Sequence, residues 1–308
     1  MIIVAGEALI DLIASPDGRL AAMPGGGPYN TARTIGRLGG AVAFLGRVSR
    51  DRFGQRLRAN LELDGVALDL VVATDDPTTL AVAELDGSGA ASYRFYTLGT
   101  SAPGLADTSI QGALARAPRA LHLGTLGLVL EPMATTLEAL VGRVPDTTLV
   151  MVDVNARPTA TPDSVAYRAR VERILARADV IKVSTDDLRF LYPDLDLQAA
   201  LSAIASPASG GSRAVLCTAG GDPIVVAVGP QRVTLAVPPV EVVDTVGAGD
   251  AFGAGFLHAW VRGGRTREDL RVIDAVTAAA RFGSRVAALT VGRAGAEPPY
   301  AREMEVGA

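Results

Sequence analysis

The chain has 308 residues, 49% of them hydrophobic and 20% charged, with a formal net charge of −4. That length can fill one large α/β domain with a smaller appendage. The lack of a basic stripe argues against nucleic acid, and no uncharged apolar run reaches the roughly 18 residues of a membrane span.

Cys217 is the only cysteine, which rules out a disulfide framework or a cysteine-rich metal site and suits a reducing cytoplasm. Lys182 is the only lysine, so any step that needs an ammonium must use it. The start, MIIVAGEALIDLIA, has no basic flank and is interrupted by Glu7 and Asp11. It reads as a buried first strand and not as a secretion signal.

From there apolar runs alternate with helical patterns. IIVAGEAL is followed by NTARTIGRLG, AVAFLGRV by FGQRLRANLELDG, and ALHLGTLG by PMATTLEALVGRV. TLVMVDVN is followed by SVAYRARVERILARA, and DVIKVS and AVLCTAG come after it. Short apolar strands alternating with amphipathic helices predict a parallel sheet covered on both faces.

Residues 66–105 break this rhythm. LAVAELD and ASYRFYTL alternate as strands around GSGA, a hairpin signal. The turn chemistry of SPDGRL adds a second hairpin at 13–24. The division expected is a core of 1–12, 25–65 and 106–308, with a β lid of 13–24 and 66–105 over a cleft. An edge extension without a role is the alternative. SPASGGS, 206–212, reads as a flexible loop.

Two glycine-rich junctions carry the candidate chemistry. In VVDTVGAGDAFGAGF, 242–256, an apolar run meets a helix start. Unpaired N–H groups and the helix dipole favour an anion there. Gly247 and Gly249 let it approach the backbone. Asp250 would compete with a bound phosphate unless its task is to take a proton from an attacking hydroxyl. Aspartate is also a preferred N-cap, so a structural reading stands beside the catalytic one.

The pattern G-x-x-x-x-G-K-[ST] is absent, and GAGDAFG is not a dinucleotide fingerprint. The second junction, PGGGPYNTARTIGRLGG, 24–40, places Asn30 at a helix start. Its amide can cap the helix or present a donor and an acceptor to a ligand hydroxyl.

Together the two motifs resemble the ribokinase/PfkB family of carbohydrate and nucleoside kinases, and the resemblance covers essentially the whole chain. GEALIDL and DVNARP are similar to fructokinase-like members. The resemblance implies a three-layer α/β/α sandwich with a mostly parallel central sheet and a small β-sheet lid. It also implies ATP and Mg²⁺ as cofactors, K⁺ as a further ion, and a homodimer joined through the lid.

By resemblance Asp250 is the general base, and Gly247, Ala248 and Gly249 supply backbone donors to the transferring phosphoryl group. Asp11, Gly26, Gly27 and Asn30 match sugar-holding positions. Arg157, in DVNARP, matches a phosphate or sugar-acid clamp. IKVSTDDLRFL departs from the family's N-x-x-E pattern. Ser184 and Asp187 stand at those positions, with Asp187 a candidate for Mg²⁺ through water and Asp186 its neighbour. Lys182, Thr218, Gly220 and Ser284 are nucleotide candidates, and Asp244 a monovalent-cation candidate.

RFYTLGTSAPGL brings Phe95 or Tyr96 over the sugar, with lid packing as the alternative. Tyr29 either narrows the sugar pocket or packs against the lid. Fructose is the substrate expected. A sugar acid such as 2-keto-3-deoxygluconate needs a cation from Arg33, Arg94 or Arg157, and another sugar or a nucleoside is a further alternative. Outside the class stand a nucleotide-dependent oxidoreductase, against which the missing fingerprint argues, and a catalytically silent sugar-binding protein, against which the intact Asp250 junction argues. The expected partners are a small sugar and ATP, with no nucleic acid and no membrane.

Overall fold

The computed structural model describes residues 1–15, 17–85, 91–206 and 213–305. The GSGA turn and the 207–212 loop lie outside them. In chain order the strands are β1 (Ile2–Ala5), β2 (Leu9–Ala14), β3 (Leu20–Gly25), β4 (Val42–Ser49), β5 (Val71–Thr74), β6 (Leu80–Leu85), β7 (Ala91–Tyr96), β8 (Ala120–Gly124), β9 (Leu149–Asp153), β10 (Val180–Ser184), β11 (Ala214–Ala219), β12 (Asp222–Val228) and β13 (Gln231–Leu235).

Nine of these strands form one sheet in the order β13-β12-β11-β10-β9-β8-β1-β4-β5. From β11 to β5 along the sheet the neighbours run parallel, and β12 and β13 are antiparallel additions at one edge. Every residue of β1, β8 and β9 is buried, as expected of strands covered on both faces. Helices Met133–Arg143, Ser164–Arg177 and Leu197–Ala205 cover one face through Leu137, Ile174 and Leu201. Helices Gly27–Arg37, Arg52–Leu63, Ala248–Arg262 and Ile273–Val291 cover the other through Ile35, Leu61, Phe256 and Val276. The result is the expected three-layer sandwich.

IIVAGEAL does not form one strand. Gly6 turns the chain at φ 146°, where a Cβ would lie 2.5 Å from the Pro28 Cγ. β1 therefore stays in the large sheet while β2 crosses to a second, four-stranded sheet of order β3-β2-β6-β7. Within 66–105, β5 pairs with β4 in the large sheet, and β6 and β7 pair as a hairpin in the small one. Among the described residues, no helix is long and apolar enough to cross a membrane.

The carboxyl ends of the parallel strands, where open α/β sheets bind ligands, gather the site. Glu7 follows β1, Thr125 follows β8, and Asp153 and Ser184 end β9 and β10. The helix Ala248–Arg262 packs over this sheet face.

Candidate active site

Gly247 precedes that helix in the left-handed conformation, φ 75°, which glycine adopts without steric cost. A Cβ on Gly247 would lie 2.5 Å from the Ala296 Cβ, and one on Gly249 would lie 2.7 Å from the Lys182 Nζ. Both positions are thus closed to side chains, and Gly249 lies against the single lysine. Asp250 is buried in the first turn, and its Oδ2 accepts a 2.9 Å hydrogen bond from the Asn30 Nδ2. Burial pushes the Asp250 carboxyl above its ordinary value, against the pull of the Asn30 hydrogen bond and the charges of Lys182 and Arg157.

Asn30 reaches Asp250 from the helix Gly27–Arg37, which begins at Gly26 in a φ 107° conformation. A Cβ on Gly27 would lie 3.2 Å from the Asp250 Oδ1, and one on Gly25 would lie 2.0 Å from the Asp11 Oδ2. The run of glycines therefore lets two carboxylates approach one stretch of backbone. Asp11 is pushed up to about 6, by burial first and by the Asp250 charge second, with Arg157 opposing both. These residues, far apart in sequence, are brought together in the fold.

The register of the small sheet sorts the aromatic candidates. Asp11 pairs with Ala81, and Ala81 with Phe95, so Phe95 shares the face of Asp11. Tyr93, two residues away, lies on that face too, stacked on Phe95 at 6.4 Å between centroids. Tyr96 points to the opposite face and is 56% exposed. Tyr29 narrows no pocket: it is wholly buried in the core beside Ile35 and Phe44, with the Arg33 guanidinium over its ring.

Of the arginines offered for a sugar acid, Arg33 is buried and paired with Asp64 and Glu297. Arg94 alternates to the outer face, with Glu84 3.7 Å away. Arg157 makes no ion pair among the described residues, and its Nη1 donates to the Asn155 Oδ1 at 2.6 Å and to the Ala156 carbonyl at 3.1 Å.

On the nucleotide side, Lys182 is buried, and its Nζ meets the Asp153 Oδ2 at 3.0 Å. Burial lowers the ammonium's pKa, but Asp153, Asp187 and Asp250 together carry it above its ordinary value. Ser184 caps the helix Thr185–Leu191 in a capping box with Asp187. The Asp187 Oδ2 accepts from the Ser184 N–H and its Oδ1 from the Ala156 N–H, both at 2.7 Å. That carboxylate fastens β10 to the loop of Arg157.

Thr218 ends β11, where its hydroxyl donates to the Val183 carbonyl at 3.4 Å, and Gly220 turns the chain toward β12 at φ 61°. Ser284 is buried in the helix Ile273–Val291, its hydroxyl unpartnered, and is not displayed at the surface. Asp244 accepts from the N–H groups of Val246 and Gly295, tying two loops together.

Three residues here have no role assigned from the sequence. Glu7 and Thr125 meet through a hydrogen bond, and Asp153 holds Lys182. Glu7 lies in GEALIDL and Asp153 opens DVNARP, but neither was given a role of its own; Thr125 had no signal beyond following an apolar run.

A glycine-opened helix start with a buried carboxylate in its first turn, held by an amide, can receive an anion and take a proton from an attacking hydroxyl, the chemistry of a phosphoryl-transfer enzyme. Residues 1–302 match the model of the pfkB family carbohydrate kinases, and the chain belongs to that family. It is 33% identical over 262 residues to a fructokinase of Rhizobium leguminosarum bv. trifolii, covering 83% of this chain and 78% of that protein. The fructokinase of Xylella fastidiosa, solved with bound ATP, superposes with a TM-score of 0.90 at 27% identity, covering 99% of this chain and 97% of that one. The fructokinase of Vibrio cholerae O395, solved with fructose, ADP and calcium ion, gives 0.84 at 25% identity, covering 99% and 97%.

Proposed function

We propose that the protein is an ATP-dependent fructokinase. The observation that carries this reading is Asp250, held by Asn30 at the start of a glycine-opened helix and facing Asp11 across Gly25–Gly27. Fructose comes to this chain from its relatives, one of which is solved with fructose and ADP and another with ATP.

In the reaction Asp250 takes the proton from a sugar hydroxyl, whose oxygen bonds to the γ-phosphorus as the bond to the bridging oxygen of ADP breaks. The amides of Gly247 and Gly249 and the Lys182 ammonium receive the negative charge of the transferring group, while the Ala248 N–H expected beside them donates to the Thr245 carbonyl at 3.2 Å. Asp11 and Asn30 hold sugar hydroxyls, with Tyr93 and Phe95 above, and Arg157 is free to turn from its own loop onto phosphate.

Among the described residues no three carboxylates or imidazoles gather into a metal site. Mg²⁺ enters on the ATP phosphates as part of the substrate, which suits an ion that keeps most of its waters. Asp187 lies at the edge of this region as a water-mediated contact. A monovalent ion such as K⁺ fits the two loops that Asp244 joins. The nucleotide spreads along the ends of β10 and β11 near Thr218 and Gly220. A cytoplasmic enzyme suits a chain whose one thiol is buried.

Arg33 is held by Asp64 and Glu297 and Arg94 lies on the face away from Asp11, which leaves Arg157 as the cation a sugar acid would use. The test is ADP release with Mg²⁺ and ATP across fructose, ribose, glucose, tagatose, 2-keto-3-deoxygluconate and adenosine. Selective turnover of fructose supports the reading; selective turnover of the sugar acid replaces it and moves attention to Arg157. The exposed lid residues Leu20, Tyr96 and Leu98 are offered as a homodimer contact. Light scattering giving a monomer at micromolar concentration overturns that part.

A further inference from the structure

Glu7 is buried, 1% exposed, between two segments of the sugar site. Its Oε1 accepts from the Gly27 N–H at 3.2 Å and from the Thr125 hydroxyl, and its Oε2 accepts from the Gly127 N–H at 3.1 Å. Gly27 opens the helix that carries Asn30, and Gly26 at its N-cap has no side chain to satisfy the first amides. A carboxylate from the neighbouring strand end takes that place, favoured by the helix dipole.

Thr125 sits at φ 55°, a conformation that costs a β-branched residue energy and persists only where its surroundings enforce it. Its Cγ2 would be 2.4 Å from a Cβ on Gly27, whose other neighbour is the Asp250 Oδ1. One buried carboxylate therefore anchors both the backbone that touches Asp250 and the residue that crowds that backbone.

We infer that Glu7 is a positioning residue for phosphoryl transfer: it sets the start of the Gly27–Arg37 helix, and with it the Asn30 amide and the wall beside Asp250, without touching either substrate. The inference rests on the kinase reading of the same site. Its charge also acts on Asp250, which has Glu7, Asp11 and Asp153 as acidic neighbours and Lys182 and Arg157 as basic ones. Burial pushes Glu7 itself up to about 7, against the hydrogen bonds from Thr125 and Gly27, so its charge is already reduced below neutral pH and it acts on Asp250 through geometry first.

The experiment compares the full-length wild type with Glu7→Gln, which keeps the shape and removes the charge. The comparison uses whichever sugar the wild type turns over, so failure on fructose counts against the substrate reading alone. The expected result is a fall in kcat of about 100-fold, the cost of a small misplacement, with KM for ATP unchanged. Amide exchange should quicken in peptides spanning Gly27 and Gly127 and nowhere else, a readout independent of turnover.

An unchanged kcat, or a fall in kcat with exchange raised throughout the chain, overturns the inference. If Glu7→Gln does not fold, Thr125→Val removes one of the three donors and is read by the same kcat and exchange measurements.

Discussion

Asp250 works in a setting that opposes its ionisation, because it is buried and has three acidic neighbours. A general base acts in its ionised form, so activity is lost as pH falls through its pKa. With Asp250 raised and Asp11 pushed up to about 6, kcat/KM should decline as pH falls, the Asp11 contribution being lost through about pH 6; initial rates at saturating Mg²⁺ and ATP will show it. Asp250→Asn should lower kcat by about 10²–10⁴-fold while calorimetry finds sugar binding nearly intact. Asp250 was legible because its signal is local, an aspartate among glycines at a helix start. The Asp153–Lys182 pair was not, because it exists only through the alignment of β9 and β10. Lys182→Met leaves Asp153 as a buried charge without its partner and should cost about 3–5 kcal/mol, read from urea unfolding. Asp187 also has a structural part that its sequence position did not show, since each of its oxygens accepts from a backbone amide.

Individual elements carry the specificity through register. β7 presents Tyr93 and Phe95 toward Asp11 and turns Tyr96 away, so Tyr93→Ala should raise KM for the sugar about tenfold and Tyr96→Ala leave it within about twofold. Steady-state kinetics on the two variants decides between the faces. The alternation of ASYRFYTL predicted the strand, but a period of two leaves the choice of face to the pairing partner. At the helix Ala248–Arg262, Gly249→Ala puts a methyl where the Lys182 Nζ now lies, and kcat should fall about 100-fold. The first strand was misread in extent because β1 and β2 are both apolar, and only the φ of Gly6 separates the two sheets.

Across the whole molecule, the alternation of strands and helices made the sandwich readable, since a parallel sheet leaves an unmistakable rhythm. The burial of single polar groups was not readable. Both histidines lie inside: burial pushes His122 down to about 3 and His258 to about 4. An unfolded chain protonates them near 6.5 while the fold does not, so they cost stability progressively as pH falls below 6.5. His122→Leu should lessen that loss by up to about 1.4 kcal/mol per pH unit, measured by urea denaturation at pH 6.5 and 4.5. The same separation of inside from outside governs the basic side chains. Arginine alone supplies them at the surface, and the one primary amine on a side chain is buried against Gly249, in the turn proposed as the phosphate cradle. An acylating or aldehyde reagent therefore finds no lysine handle on the exterior, and side-chain modification becomes a reporter of when that cradle opens and of whether nucleotide shields it.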